Sequence, residues 1–536
     1  MKNKIIFIAV SLMVAGGCSV GEATGIPEEA PEPSKIANVP DNAEHGVLIA
    51  KFDAGFVPQL EAMERTALLT KSAPEAPTPE LESLFNELGV ISCSRVFAKD
   101  DRNEKETRAA GLHRWYLLKF DRDKDLKAAA EALAQVAEVS IVQFNNKPVR
   151  TFDGQRAAFR DEPHPSTKAF TPYPFNDPYL FWQWHYINNA DQAISNTSRE
   201  GADVNVAPAW KLTGGDPRII VAVLDEGVKY THPDLAANMW TNPDPDPEMN
   251  DIHGYNFVDN CDIEWTREGN VGHGTHVAGT IAAVNGNGIG VCGIAGGTGK
   301  GDGVRIMSCQ IFSGDDSAGD ARAAVAIKYA ADHGASILQC SFGFEAGQAR
   351  YDNAFEAANP LEVEAMRYFM SKKNCDAIDG GLIFFSSGNE GAPMSGYPAA
   401  YRDYISVTAF APDFLPAYYT NYGPGCNISA PGGEINGHSG GERAAILSTV
   451  VSEIDEVDYG YMQGTSMSAL GLSYALQKGK SFTREEFQNM ILTSVNDLNC
   501  YLDDEVKTTG STIKLMDYYG QMGTGAIDAY KLLMQV

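Results

Sequence analysis

From residue 219 onward, short uninterrupted apolar runs alternate with amphipathic or small-residue stretches. Ile219, Ile220, Val221, Ala222, Val223 and Leu224 form the kind of run that a parallel strand buried on both faces shows, and Asp225-Glu226-Gly227 interrupts it abruptly. The pattern predicts further strands at 304–311, 336–340 and 382–386, and helices following His273, over 318–333 and over 361–371. Such alternation predicts an α/β domain with a parallel sheet sandwiched by helices. Upstream the periods are shorter: a strand at 47–52, a helix at 81–88, strands at 91–97 and 115–120, an alanine-rich helix at 126–136 and a strand at 139–144. This βαββαβ order predicts a small α+β domain of the ferredoxin-like type.

Residues 19–44, rich in Pro, Glu and Ala, suit an extended tether. Ahead of them, Lys2 and Lys4 precede an apolar stretch at 5–15 that is too short for a permanent membrane span and ends in Ala15-Gly16-Gly17-Cys18. Small residues ending at a cysteine resemble a bacterial lipoprotein signal, with Cys18 as the lipidated first residue; an ordinary secretory signal with an incidental cysteine is the alternative. Either predicts export, with membrane contact only through a lipid on Cys18. The expected organisation is a signal at 1–18, a tether at 19–44, an α+β domain at 45–149, an Arg- and Pro-containing junction at 150–175 and the larger α/β domain at 176–536.

Three segments carry chemistry, in fixed order: Asp225-Glu226-Gly227-Val228, His273-Gly274-Thr275-His276-Val277-Ala278-Gly279-Thr280, and Gly464-Thr465-Ser466-Met467-Ser468. Each supplies one member of an Asp, His, Ser set, which nucleophilic acyl transfer needs because a serine hydroxyl attacks poorly until a base takes its proton. Taken alone, Asp225 reads as a cap or turn residue and His273 as a structural histidine; the joint order overturns both readings. His273 and His276 have no Glu between them and no third ligand at helical spacing, which argues against zinc.

On these segments, and on Asn176-Asp177-Pro178-Tyr179, Thr231-His232-Pro233-Asp234-Leu235 and Gly290-Val291-Cys292-Gly293, the chain resembles the subtilisin-like serine proteases. The resemblance implies a serine endopeptidase acting on protein or peptide substrates, with Ser466 as nucleophile, His273 as general base then acid, and Asp225 as the group that orients the imidazole. It makes Asn389 the oxyanion donor and Ser341-Phe342-Gly343 the edge along which an extended substrate pairs. It also implies that the 45–149 domain is a prodomain that assists folding and then inhibits. No cofactor serves the chemistry; the resemblance suggests a structural calcium held by Asp177, Asp234 and Asn287, against which Asp234 reads as a cap and Asn287 as a turn residue.

Two departures stand out. Glu226 follows the catalytic aspartate where the family has Ser or Thr; of its two readings, raising the basicity of the histidine or pointing to solvent, solvent is the expectation here. After Ser468-Ala469 about eight residues of the family's buried helix are missing, roughly 12 Å at 1.5 Å per residue, which predicts a large void or a shifted chain. That gap keeps open a second reading, a catalytically impaired subtilase shell on the cell surface. A net charge of −28 argues against nucleic-acid partners. Nine cysteines in an exported chain permit disulfides, but none is assigned, and Cys292, Cys309 and Cys340 are expected as buried free thiols.

Overall fold

The computed structural model describes residues 34–150, 155–160, 174–463, 469–502, 505–507 and 512–536. The signal segment with Cys18, most of the tether and Ser466 with its neighbours lie outside the described residues.

The central sheet runs in the order Asp316–Ser317, Arg305–Ser313, Ile220–Glu226, Ile337–Cys340, Leu382–Ser386, Ile405–Phe410, Ile428–Pro431, Ala526–Ile527, Val495–Asn496, with Gly254–Asn256 pairing beside Arg305–Ser313. Its interior pairs are parallel; the two outermost are antiparallel. Side chains alternate between two cores, as a period of two requires. Val221 and Val223 pack with Val277, Leu470 and Leu472 on one face. Ala222 and Leu224 pack with Ile327, Tyr329 and Phe369 on the other. The expected strands and helices of this region are present as Ile220–Glu226, His273–Ala282, Arg305–Ser313, Asp320–Asp332, Ile337–Cys340, Pro360–Ser371 and Leu382–Ser386, and Asp352–Ala358 adds a helix the sequence reading did not contain.

The amino-terminal region is a four-stranded antiparallel sheet in the order Ser92–Arg95, Trp115–Lys119, Ala43–Phe52, Val139–Asn146. One face, carrying Leu48, Ala50, Phe52, Tyr116 and Leu118, closes a core of its own with the helices Val57–Thr70, Pro79–Leu88 and Leu126–Ala134. The other face sets Ile49 and Trp115 against the larger domain's core. Polar bonds fix the seat: Trp115 Nε1 donates to Glu364 at 2.8 Å and Gln143 Nε2 to Asp320 at 3.0 Å, while Lys51 pairs with Glu364. Residues 36–536 accordingly form one compact unit.

Order begins earlier than the expected boundary at residue 45. The amide of Asn38 donates to the Phe144 carbonyl at 3.1 Å and accepts its N–H at 2.8 Å, so a side chain substitutes for a strand partner and holds this stretch of the tether against the sheet edge. The eight described cysteines are free thiols, with Cys292, Cys309 and Cys340 buried. No described helix is long and apolar enough to cross a membrane.

The helix Ala469–Gln477 follows the third motif. Leu470, Leu472, Ala475 and Leu476 are buried in the core, and the cavity beside them, lined by Leu470, Gly471, Ile527 and Leu532, is about 10 Å³. That is about the room one water requires, so the large void expected from the missing residues is not found there. Gly471 explains the fit: a Cβ at this position would lie 2.6 Å from Leu532, so the helix Ala469–Gln477 seats directly on the helix Ala529–Gln535.

Candidate active site

Asp225 is the penultimate residue of the strand Ile220–Glu226, whose neighbours Arg305–Ser313 and Ile337–Cys340 both come later in the chain and lie on opposite sides. This is a topological switch point, where open parallel sheets form a crevice at strand carboxyl ends. The helix His273–Ala282 starts at the same place. Gly272 turns into it at φ +74°, and a Cβ on Gly274 would lie 2.1 Å from the Glu226 carbonyl oxygen. Only glycine allows helix and strand end to meet so closely, and that meeting brings His273 to Asp225.

His273 Nδ1 lies 2.9 Å from each carboxylate oxygen of Asp225. A carboxylate only accepts, so Nδ1 carries the proton and Nε2 of the neutral ring holds the lone pair that a base uses. Burial opposes the imidazolium, but the charge and hydrogen bond of Asp225, with the charge of Glu226, outweigh it and hold His273 above its usual pKa. The helix is tied to the segment preceding Ser466: Ser448 Oγ donates to the His276 carbonyl and Thr449 Oγ1 to the Thr275 carbonyl, both at 2.8 Å. His276 meets the Ile446 carbonyl at 2.9 Å through Nε2, and burial pushes its pKa down to about 3, so it is a neutral structural residue. Among the described residues no group of three or more His, Cys, Asp or Glu could hold a metal.

Glu226 does not point to solvent. It is 1% exposed and accepts the backbone N–H groups of Val271, at 3.1 Å, and His273, at 3.0 Å. Its Oε1 lies 2.6 Å from Arg150 Nη1. A buried carboxylate needs such partners, and the amino end of the His273 helix supplies two of them.

Arg150 arrives on a strand. Val149–Arg150 pairs antiparallel with Phe342–Gly343, with Arg150 opposite Phe342 and Val149 opposite Gly343. Farther along, Arg156–Ala158 pairs with Tyr459–Met462, just before the third motif. The chain leaving the amino-terminal domain thus pairs first with Phe342–Gly343 and then with Tyr459–Met462. Ser341 lies immediately before this edge, and Asn389 sits, half-buried, in the bend after Leu382–Ser386. That bend is organised by Asn421, which the sequence reading missed: its Oδ1 accepts from Glu390 and Ala392, and its Nδ2 donates to the Ser387 carbonyl.

Asp177, Asp234 and Asn287 also come together. Asp177 accepts from the N–H of Gly286 at 2.7 Å, and Asp234 accepts from Asn287 Nδ2 at 2.7 Å and from the N–H of Val291 at 2.9 Å.

Residues 216–513 match the family model described as Peptidase_S8, Subtilase family. The chain belongs to the subtilase family. A thermophilic serine proteinase of Bacillus sp. (strain AK1) is 32% identical over 300 residues, 55% of this chain and 61% of the relative. A cell wall-associated protease of Bacillus subtilis (strain 168) is 27% identical over 458 residues, 82% of this chain and 42% of the relative. A halolysin of Haloferax mediterranei is 32% identical over 229 residues, 43% of this subtilase and 38% of the relative, so the match spans less than two thirds of all three relatives. Among solved structures, fervidolysin from Fervidobacterium pennivorans superposes with a TM-score of 0.56 at 20% identity, covering 94% of this chain and 64% of its own. The α/β fold with a mainly parallel sheet is thus the subtilisin-like one.

Proposed function

We propose that the chain is an exported serine endopeptidase made with its own inhibitor attached. The observation that carries this reading is the extended segment Val149–Arg150, paired like a substrate on Phe342–Gly343 beside the Asp225–His273 pair. Backbone pairing of this kind binds peptides with modest dependence on side chains. In the reaction, Ser466 Oγ attacks the scissile carbonyl while His273 Nε2 takes its proton. Asp225 keeps the imidazole in the required tautomer and stabilises the imidazolium, and Asn389 donates to the oxyanion. His273 then returns the proton to the leaving amine, and water repeats the sequence on the acyl-enzyme. Residues 45–149, with the preceding packed stretch, are read as a ferredoxin-like prodomain, cut in the junction after Arg150.

Labelling by a fluorophosphonate probe, after cleavage in the 150–175 junction and removal of residues 45–149, tests this directly. Incorporation that disappears in Ser466→Ala, together with cleavage of unfolded casein, is expected; no labelling under conditions where the chain is folded sinks the proposal. The shortened helix after Ala469 favours the second reading, a surface-displayed shell without peptidase activity, and absence of labelling is its outcome. Export rests on the amino-terminal segment, with Cys18 as lipid anchor; a Cys18→Ala chain that still partitions with membranes sinks the anchor.

Asp177, Asp234 and Asn287 fit a structural calcium. Burial first, then the charge of Asp177, raises Asp234 to about 7, a tension that a hard cation relieves. Rotating the Asn287 amide would offer its oxygen in place of the nitrogen. The ion would pin the Asn285-Gly286-Asn287-Gly288 loop and take no part in catalysis. A cation held at about 100 times its Kd contributes about 2.7 kcal/mol. Chelation is therefore expected to lower the melting temperature by about 3 °C in the wild type and not in Asp234→Asn. Identical melting with and without chelator removes the site.

A further inference from the structure

Glu226 is buried at the bottom of a small recess that Arg150 fills. The guanidinium lies 2.6 Å from Glu226 Oε1, donates to the Gly314 carbonyl, and reaches the Gly269 carbonyl at 3.5 Å. Its central carbon, Cζ, sits over the Phe312 ring, 5.3 Å from the ring centre. Carboxylate, carbonyls and an aromatic face together make a receptor for a planar cation, and they suit a guanidinium better than an ammonium, whose charge is compact and which cannot stack. The backbone of Arg150 is meanwhile paired on the edge strand that a substrate would use. When the prodomain departs, the recess loses its cation while Glu226 stays behind, held by the N–H groups of Val271 and His273.

We propose that Glu226, with Phe312 and the carbonyls of Gly269 and Gly314, forms a specificity pocket that selects peptides carrying arginine at the position that pairs opposite Phe342. This rests on the endopeptidase reading and names the substrate class for it. With the cut proposed in the junction after Arg150, that arginine lies on the amino side of the scissile bond. Arg150 is then the first ligand of the pocket, and the junction is this enzyme's own sequence-matched substrate. Leaving a buried carboxylate without its partner is what penalises other residues at this position.

Two measurements test the pocket, the first by relative turnover and the second without it. For the processed enzyme, quenched peptides with the sequence of residues 145–158 and Arg, Lys, Gln or Glu at position 150 are compared by kcat/KM. Arginine is expected to exceed glutamine by about 100-fold and lysine by less, with glutamate poorest. In Glu226→Gln the arginine preference is expected to shrink below about 5-fold, whatever happens to the absolute rate. A wild-type enzyme that cleaves all four peptides equally overturns the pocket and leaves the endopeptidase reading intact.

The second measurement needs no turnover. In the full-length Ser466→Ala chain, amide hydrogen exchange at residues 149 and 150 is followed in Arg150→Gln, Glu226→Gln and the double variant. Coupling is expected, with either single change speeding exchange about 10-fold or more and the double adding little to it. Coupled exchange without peptide cleavage retains the pocket and refutes the endopeptidase. Independent, additive effects overturn the pocket.

Discussion

Replacing Asp225 by asparagine is expected to lower kcat by about 10⁴-fold while KM stays within a few-fold. The reason is visible at the imidazole. Both Asp225 oxygens accept from Nδ1 at 2.9 Å, and with a carboxylate there only one neutral tautomer is satisfied. An asparagine amide can turn its NH₂ toward Nδ1, which favours the tautomer protonated at Nε2, and that ring cannot act as base toward Ser466. The substitution also removes the charge that holds the histidine above its usual pKa, so the acid limb of the residual kcat/KM profile should move to lower pH. The edge Phe342–Gly343, on which the proposal pairs the substrate, is untouched, which is why the loss should fall on kcat. Steady-state kinetics of both proteins over pH 5 to 9, normalised to active sites, checks it. A loss under about 10-fold would mean that Asp225 does not orient the base.

The strands that carry this site are legible in the sequence because they are buried on both faces: 219–224 is apolar without interruption, and its abrupt end marks Asp225. The glycines around His273 are legible for a similar reason, since close helix packing tolerates nothing larger. Helix Val57–Thr70 is not legible, because only Val57, Leu60 and Met63 turn inward while Leu68 and Leu69 stand 73% and 82% exposed, so no apolar stripe forms. Glu226 is misread because its partners are remote. Nothing adjacent to it indicates that Arg150, 76 positions earlier, enters the same recess, or that a helix start delivers two N–H groups to it. Asn421 escapes for the same reason, since its hydrogen bonds serve a loop some thirty positions upstream. The void expected behind Ser466 follows from counting residues against a longer helix. Counting cannot anticipate that Gly471 lets the helix Ala469–Gln477 settle on Leu532.

Binding of the proposed prodomain should weaken by about 100-fold between pH 5.5 and pH 9. Two carboxylates of the larger domain lie under the amino-terminal sheet and its exit strand: Asp320, reached by Gln143 Nε2, and Glu362, which shares a small cavity with Pro148 and Asp320. Burial raises Asp320 to about 7 despite the Gln143 hydrogen bond, and burial followed by the charge of Asp320 raises Glu362 to about 8. Among the described residues Glu362 Oε1 has no hydrogen-bond partner, as suits a carboxyl kept neutral. Once the prodomain leaves, both groups meet water and their pKa values fall toward the usual carboxylate range near 4. The covered state therefore binds more protons than the open one. Its advantage is complete below about pH 4 and is lost as pH rises through 7 and 8. Two shifts of this size would exceed 100-fold if the cover caused all of them, but the helices Asp320–Asp332 and Pro360–Ser371 bury part of each group on their own. Dissociation of the cut but still associated prodomain, followed by gel filtration across this pH range in a Ser466→Ala background supplied with a protease site between residues 151 and 154, measures the effect. Asp320→Asn with Glu362→Gln should flatten the profile by fixing both groups neutral. A wild-type affinity that is level from pH 5.5 to 9 would show that neither carboxyl depends on the prodomain for its burial.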